Sequence, residues 1–195
     1  MENKIAAFWQ WFTDNEADFH NMELLGDRQG ELFELLSNEL HKLSEHLSFE
    51  FSSLHEDGKR EFVITANGMQ SVFPIVFQLY ETAPLFSNWI IVPLKPRLDR
   101  EVTLGIAGKE FGFDDIYFDG QVNGSKLDLD LYLRCDLPDN ILPQIGFLML
   151  DVILGEFDVA TKIGHLAFLH LEESKIPALT GFRELPAMVD ALTNG

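Results

Sequence analysis

Six histidines, a group of three carboxylates and one short basic loop are the residues of this chain whose types could carry chemistry. His41 and His46 lie five apart in a stretch with helical periodicity, so they miss the i, i+4 spacing that places two ligands on one helix face. His165 and His170 lie five apart in a stretch that reads as a strand, and a strand sends such residues to opposite faces. A metal site assembled from distant segments is therefore outweighed by four unrelated histidines, and no metal site is expected. His20 and His55 fall in turns.

Asp151, Glu156 and Asp158 surround the end of an apolar helix. Asp151 lies inside the apolar run, where an ionised carboxylate needs a partner. Such a group could bind a cation or act as a general acid and base. The competing expectation is a structural ion pair with Lys162 or an arginine. Lys95, Arg97 and Arg100 make the one basic concentration, Lys95-Pro96-Arg97-Leu98-Asp99-Arg100. Arginine offers a planar fork of donors that would clamp a ligand carboxylate or phosphate. The competing expectation is pairing with Glu101 or with Asp114 and Asp115. Cys135 continues a leucine face and reads as a buried, inert thiol. No Gly-x-Ser-x-Gly, glycine-rich phosphate loop, Cys-x-x-Cys or His-Glu-x-x-His occurs, and no cofactor is expected.

The elements that must position these residues follow from periodicity. Ile5, Phe8, Trp9 and Phe12 have helical spacing. Leu32, Leu36, Leu40, Leu43 and Leu47 line one face of a second helix, which Gly26-Asp27 precedes as a break and cap. The pair predicts an antiparallel helical hairpin over residues 1–47, with the Trp9 and Trp11 aromatics as packing material. From Ser48 the period becomes two, and Asp57-Gly58 marks a hairpin turn before the strand around Phe62 and Ile64. Val72 to Thr82 reads as a helix capped by Ser71, with Pro74 in its first turn. Trp89 to Leu94 is a strand that Pro93 ends or places at an edge. Glu101 to Ala107 is a short strand.

Leu127, Leu129, Leu131 and Leu133 alternate with polar residues, opposite Ile116 to Val122 across an Asn123-Gly124 turn. Ile141 to Leu154 is a buried helix, capped by Asp139 and stopped by Gly155. Ile163 to Leu171, apolar on both faces, is expected in the centre of the sheet. A short last helix spans Leu185 to Leu192. Strands in hairpin runs predict an α+β fold, a mainly antiparallel sheet covered by helices, with residues 1–195 as a single domain divided into 1–47 and 48–195.

Composition excludes several classes. With 46% hydrophobic and 12% aromatic residues, the chain is too apolar for a disordered acidic tail. Its net charge of −18 rules against tracking a phosphate backbone. That charge is spread along the chain, −8 in residues 1–60 and −10 in residues 61–195, as on a solvated acidic surface. One cysteine forms no internal disulfide, which fits a reducing cytoplasm. The start, Met1-Glu2-Asn3-Lys4, lacks a signal-peptide pattern, and the longest apolar run falls short of the ~20 residues that span a bilayer.

Three stretches resemble a family of uncharacterised bacterial proteins: Phe8-Trp9-Gln10-Trp11-Phe12, the run from Gly58 to Gly68, and Leu154-Gly155-Glu156-Phe157-Asp158-Val159 with Ile163-Gly164. The resemblance extends through Leu94-Lys95-Pro96-Arg97 and implies a bacterial cytoplasmic protein, without assigning an activity. The sequence thus points to a non-enzymatic binding or protein-interaction domain. Its partner would be another protein or a second copy, with no nucleic acid and no membrane involved. The alternative is a small-ligand-binding protein or enzyme with its site at the Lys95–Arg100 loop or at Asp151, Glu156 and Asp158.

Overall fold

A computed structural model describes residues 1–26, 28–106 and 108–192. The expected cap Asp27, the last residue of the expected 101–107 strand and residues 193–195 lie outside the described residues. The fold is α+β with largely antiparallel sheets. Two compact units divide between Lys95 and Pro96, whereas the sequence suggested one domain with an internal boundary at 47/48. The physical reason is that the helical pair buries its seam on the strands that follow it, so both belong to the first unit.

In the first unit, α1 (Glu2–His20) buries Ile5, Phe8, Trp9, Phe12 and Phe19. α2 (Arg28–His41) buries Leu32, Leu36 and Leu40. Leu43 and Leu47 are buried as expected, but in the turns after the helix has ended. Lys4 Nζ donates to Lys42 O at 3.2 Å, so the start of α1 meets the residue following α2. β1 (Ser48–Phe51) pairs antiparallel with β2 (Arg60–Thr65), Phe51 opposite Phe62. α3 (Phe73–Glu81) crosses back to β3 (Trp89–Pro93), which runs parallel to β2 at the sheet edge. Pro74 occupies the first turn of α3 as expected. Ser71 does not cap it, because a 3-10 turn, Gln70–Val72, leads directly into the helix. Phe12 stacks on Phe62 at 4.8 Å between ring centres, so aromatic packing joins α1 to the sheet.

In the second unit, β4 (Leu104–Ile106) and β5 (Lys109–Phe111) form a small hairpin, of which the sequence suggested only the first strand. β6 (Ile116–Asn123) and β7 (Lys126–Leu133) pair antiparallel along their whole length. Leu127, Leu129, Leu131 and Leu133 are all buried. α4 (Leu142–Leu154) and α5 (Glu156–Lys162) meet at Gly155, whose φ of +79° ends α4 where a side chain would be strained. Asp139 is not the cap of α4, since Ile141 holds that position and the Asp139 carboxylate lies 2.9 Å from His170 Nε2.

β8 (Ile163–His170) corrects the largest expectation. It runs parallel to β7 at the edge of a sheet ordered β8-β7-β6-β9, with β9 being Thr180–Gly181. Its apolar composition reflects packing of one face on α4, where Phe168 meets Phe147 at 5.0 Å, and not enclosure between two strands. α6 (Leu185–Asp190) closes the described chain, with Leu185 and Val189 buried in the same core. Among the described residues, no helix is long and apolar enough to cross a membrane.

Candidate functional site

The basic loop and the acidic group meet. Arg97 Nη2 donates to Asp158 Oδ2 at 3.0 Å, and both Arg97 Nη atoms donate to the Asp190 carboxylate at 2.9 Å. Lys162 Nζ approaches the other Asp158 oxygen at 3.1 Å. The chain Lys162–Asp158–Arg97–Asp190 ties α5, the loop and α6 together. Bonding to Asp190 raises the Arg97 guanidinium above its ordinary pKa, and the same contact lowers Asp190. A fork occupied by two carboxylates is a clamp within the fold, with no pair of donors left for a ligand phosphate. Lys95 belongs to the first unit, where its ammonium lies 3.2 Å from Glu50. Arg100 is exposed. Asp151 is half-buried in α4, and Glu156 is buried in the first turn of α5.

The acids expected to neutralise the basic loop have other partners. Arg183, a cation the sequence did not single out, bonds Glu101 and Asp114. Its hydrogen bonds lower both carboxyls. Arg134 bonds Glu173 at 2.7 Å and lies 3.5 Å from Asp115. These partners come from separate elements, as far as 82 residues apart for Arg183 and Glu101, so no local spacing announces them.

His41 is exposed in the last turn of α2, and His46 lies beside Glu45. His170 Nδ1 lies 3.0 Å from Cys135 O. Cys135 itself is half-buried rather than buried, because it follows the end of β7. Among the described residues, no group of three or more His, Cys, Asp or Glu side chains is disposed to hold a metal ion. In the first unit, a 510 Å³ groove is lined by Ile5, Ala6, Trp9 and Gln10 of α1 and by Gln78 of α3. Trp9 is fixed there by an indole hydrogen bond to Leu79 O at 3.0 Å, and Trp11 is half-buried.

The feature missed in the sequence is the outer face of the four-stranded sheet and its β8 edge, which pairs with no further strand among the described residues. Asp119 of β6 is the register partner of Asp130 of β7, and Asp130 in turn is the partner of Ala167 of β8. One row across the sheet therefore reads Asp119, Asp130, Ala167, open edge. Asp128 lies one step along, accepting from Asn123 Nδ2 at 2.9 Å and from His165 N at 2.7 Å. The Asn123 bond, then the His165 bond, hold its carboxyl below the usual aspartate range. Gly164 makes this contact feasible, since a Cβ there would lie 2.3 Å from Asp128 Oδ1. Among the described residues, Asp119 and Asp130 have no ion-pair partner. Together these acids and His165 line a hollow of 580 Å³.

The pleat orients the β8 backbone. Leu171 N donates to Leu133 O, and His165 N donates toward Asp128, so odd-numbered amides face β7. Even-numbered amides, Leu166 and Phe168 among them, face away from β7. After an irregularity at its start, the β7–β8 ladder is regular from Leu166 to His170. The signal available in the sequence was the absence of Lys, Arg and Pro from Ile163–His170, since those residues commonly guard an edge.

Compared with protein families, with curated proteins and with solved structures, the chain finds no match in any of the three.

Proposed function

We propose that this is a non-enzymatic binding protein, of bacterial cytoplasmic type, that docks another polypeptide. The observation that carries this reading is the free edge of β8. A regular strand with outward N–H and C=O groups, and with no guarding Lys or Pro, is a template for an added strand. The engagement of Arg97 by Asp158 and Asp190 weighs against the rival ligand or enzyme site at the basic loop. Asp158 is likewise committed to Arg97 and Lys162.

The test is selection of displayed ten-residue peptides on the immobilised protein, followed by amide hydrogen exchange of the protein with a selected peptide bound. Slowed exchange at Leu166 and Phe168 is the expected result. Selection of nothing, or protection confined to other elements, would remove the support for this reading.

A further inference from the structure

We infer that the segment received by β8 is extended, basic on one face and apolar on the other, with a Lys or Arg aligned beside Ala167. This inference rests on the reading of β8 as the docking edge. Its first observation is the row Asp119, Asp130, Ala167. Like charges directly opposite in an antiparallel pair are destabilising, and here neither carboxylate has an ion-pair partner among the described residues. Ala167 is the one side chain between Asp130 and the edge, and it is small. Strands lie about 4.8 Å apart, so a Lys or Arg on an added strand could lean across the Ala167 methyl toward Asp130.

The second observation is shape. The hollow of 580 Å³ over Asp119, Asp128, Asp130 and His165 lies on the same outer face, where a long cationic side chain would rest. The third concerns the other face. Alternate residues of the added strand would fall on the α4 side, beside Phe168 and the half-exposed Phe147. That side favours apolar groups. A second copy fits less well, because its outer-face residues, His165, Ala167 and Leu169, bring no Lys or Arg to the row.

The probes are three fluorescent ten-residue peptides in which Val alternates with Lys, Ser or Glu. They are titrated at low salt into the unaltered protein and three variants. Asp119→Asn/Asp130→Asn removes the row. Glu31→Gln/Glu34→Gln removes the same amount of charge from exposed positions on α2. Leu166→Pro deletes an outward amide without taking a donor from the β7 ladder.

The Lys peptide should bind, slow exchange at Leu166 and Phe168, and weaken about tenfold with Asp119→Asn/Asp130→Asn but not with the α2 pair. Equal weakening by both pairs would assign the effect to overall charge and overturn the inference while leaving the docking edge. Equal binding of the Ser and Lys peptides, lost in Leu166→Pro, would do the same. Binding with protection away from β8, no binding at all, or a dimer of the free protein protected at β8 would overturn both. If Leu166→Pro does not fold, exchange in the unaltered protein decides the location.

Discussion

Gly146 of α4 lies against the ring of Phe168 of β8 so closely that a Cβ on residue 146 would fall 2.1 Å from the ring carbon Cε1. The absence of a side chain at residue 146 is therefore what lets α4 approach the sheet edge. Gly146→Ala should destabilise the protein by about 1–3 kcal/mol through overpacking, against the ~1 kcal/mol that alanine gains in helix propensity. Urea denaturation measures this. Unchanged or raised stability would show that the Phe168 ring moves aside at little cost.

Arg97 clamps α6 to α5 through Asp190 and Asp158. Lysine carries the charge but not the fork, so Arg97→Lys keeps one contact at most. The global loss should be about 1 kcal/mol, since these side chains are partly exposed. The local loss should be larger, read as faster hydrogen exchange in Leu185–Asp190 than in β6 and β7. If Arg97→Lys leaves exchange in α6 unchanged, the apolar contacts of Leu185 and Val189 hold the helix without the clamp.

Arg60 is 1% exposed, and its guanidinium donates to Ser52 O at 2.8 Å and to Glu23 at 2.6 Å. That bond holds the Glu23 carboxyl below its ordinary pKa. The folded state therefore binds fewer protons than the unfolded state around pH 4, and stability rises with pH across that window. The contribution is present above the ordinary glutamate pKa and is lost as pH falls through the lowered folded value. Glu23→Gln should be less stable than the unaltered protein at pH 7 by about 1 kcal/mol, a modest figure because Glu23 is exposed. The gap should close as pH falls below about 4. A gap that is constant with pH would mean that lost packing, not lost charge, explains it.

Local signals in the sequence identify local structure. The leucine alternation from Leu127 to Leu133 marks β7, Asn123-Gly124 marks the turn before it, and Gly155 marks the end of α4. In each case the determining physics acts within a few residues. β5 escapes because Lys109–Phe111 offers one apolar residue and no period. β8 is found but misplaced, because apolar residues on both faces describe a central strand and an uncovered edge equally well. The parallel pairings of β2 with β3 and of β7 with β8 depend on crossovers through α3 and through α4 with α5, which strand composition does not encode. In the candidate sites, Asp158 and Arg97 are legible as residue types but not as partners, and Asp190 has no feature that distinguishes it from other acids. The row from Asp119 to Ala167 exists only once β6, β7 and β8 are in register.

That row also predicts a gain in stability. Asp119 and Asp130 are opposite each other, so removing either charge relieves a repulsion that nothing among the described residues compensates. Asp130→Asn should stabilise the protein by about 0.2–1 kcal/mol, and Asp119→Asn by a similar amount. The two should not add, because either one alone ends the repulsion. Both gains should shrink toward 1 M salt, where exposed charges are screened over about 3 Å. Melting in low and high salt, for both single variants and the double variant, measures this. A stabilising row would contradict the docking proposal, since the proposed partner's cation is attracted to carboxylates left uncompensated in the free protein. A destabilising row is what a binding surface retained at the expense of the free fold would show.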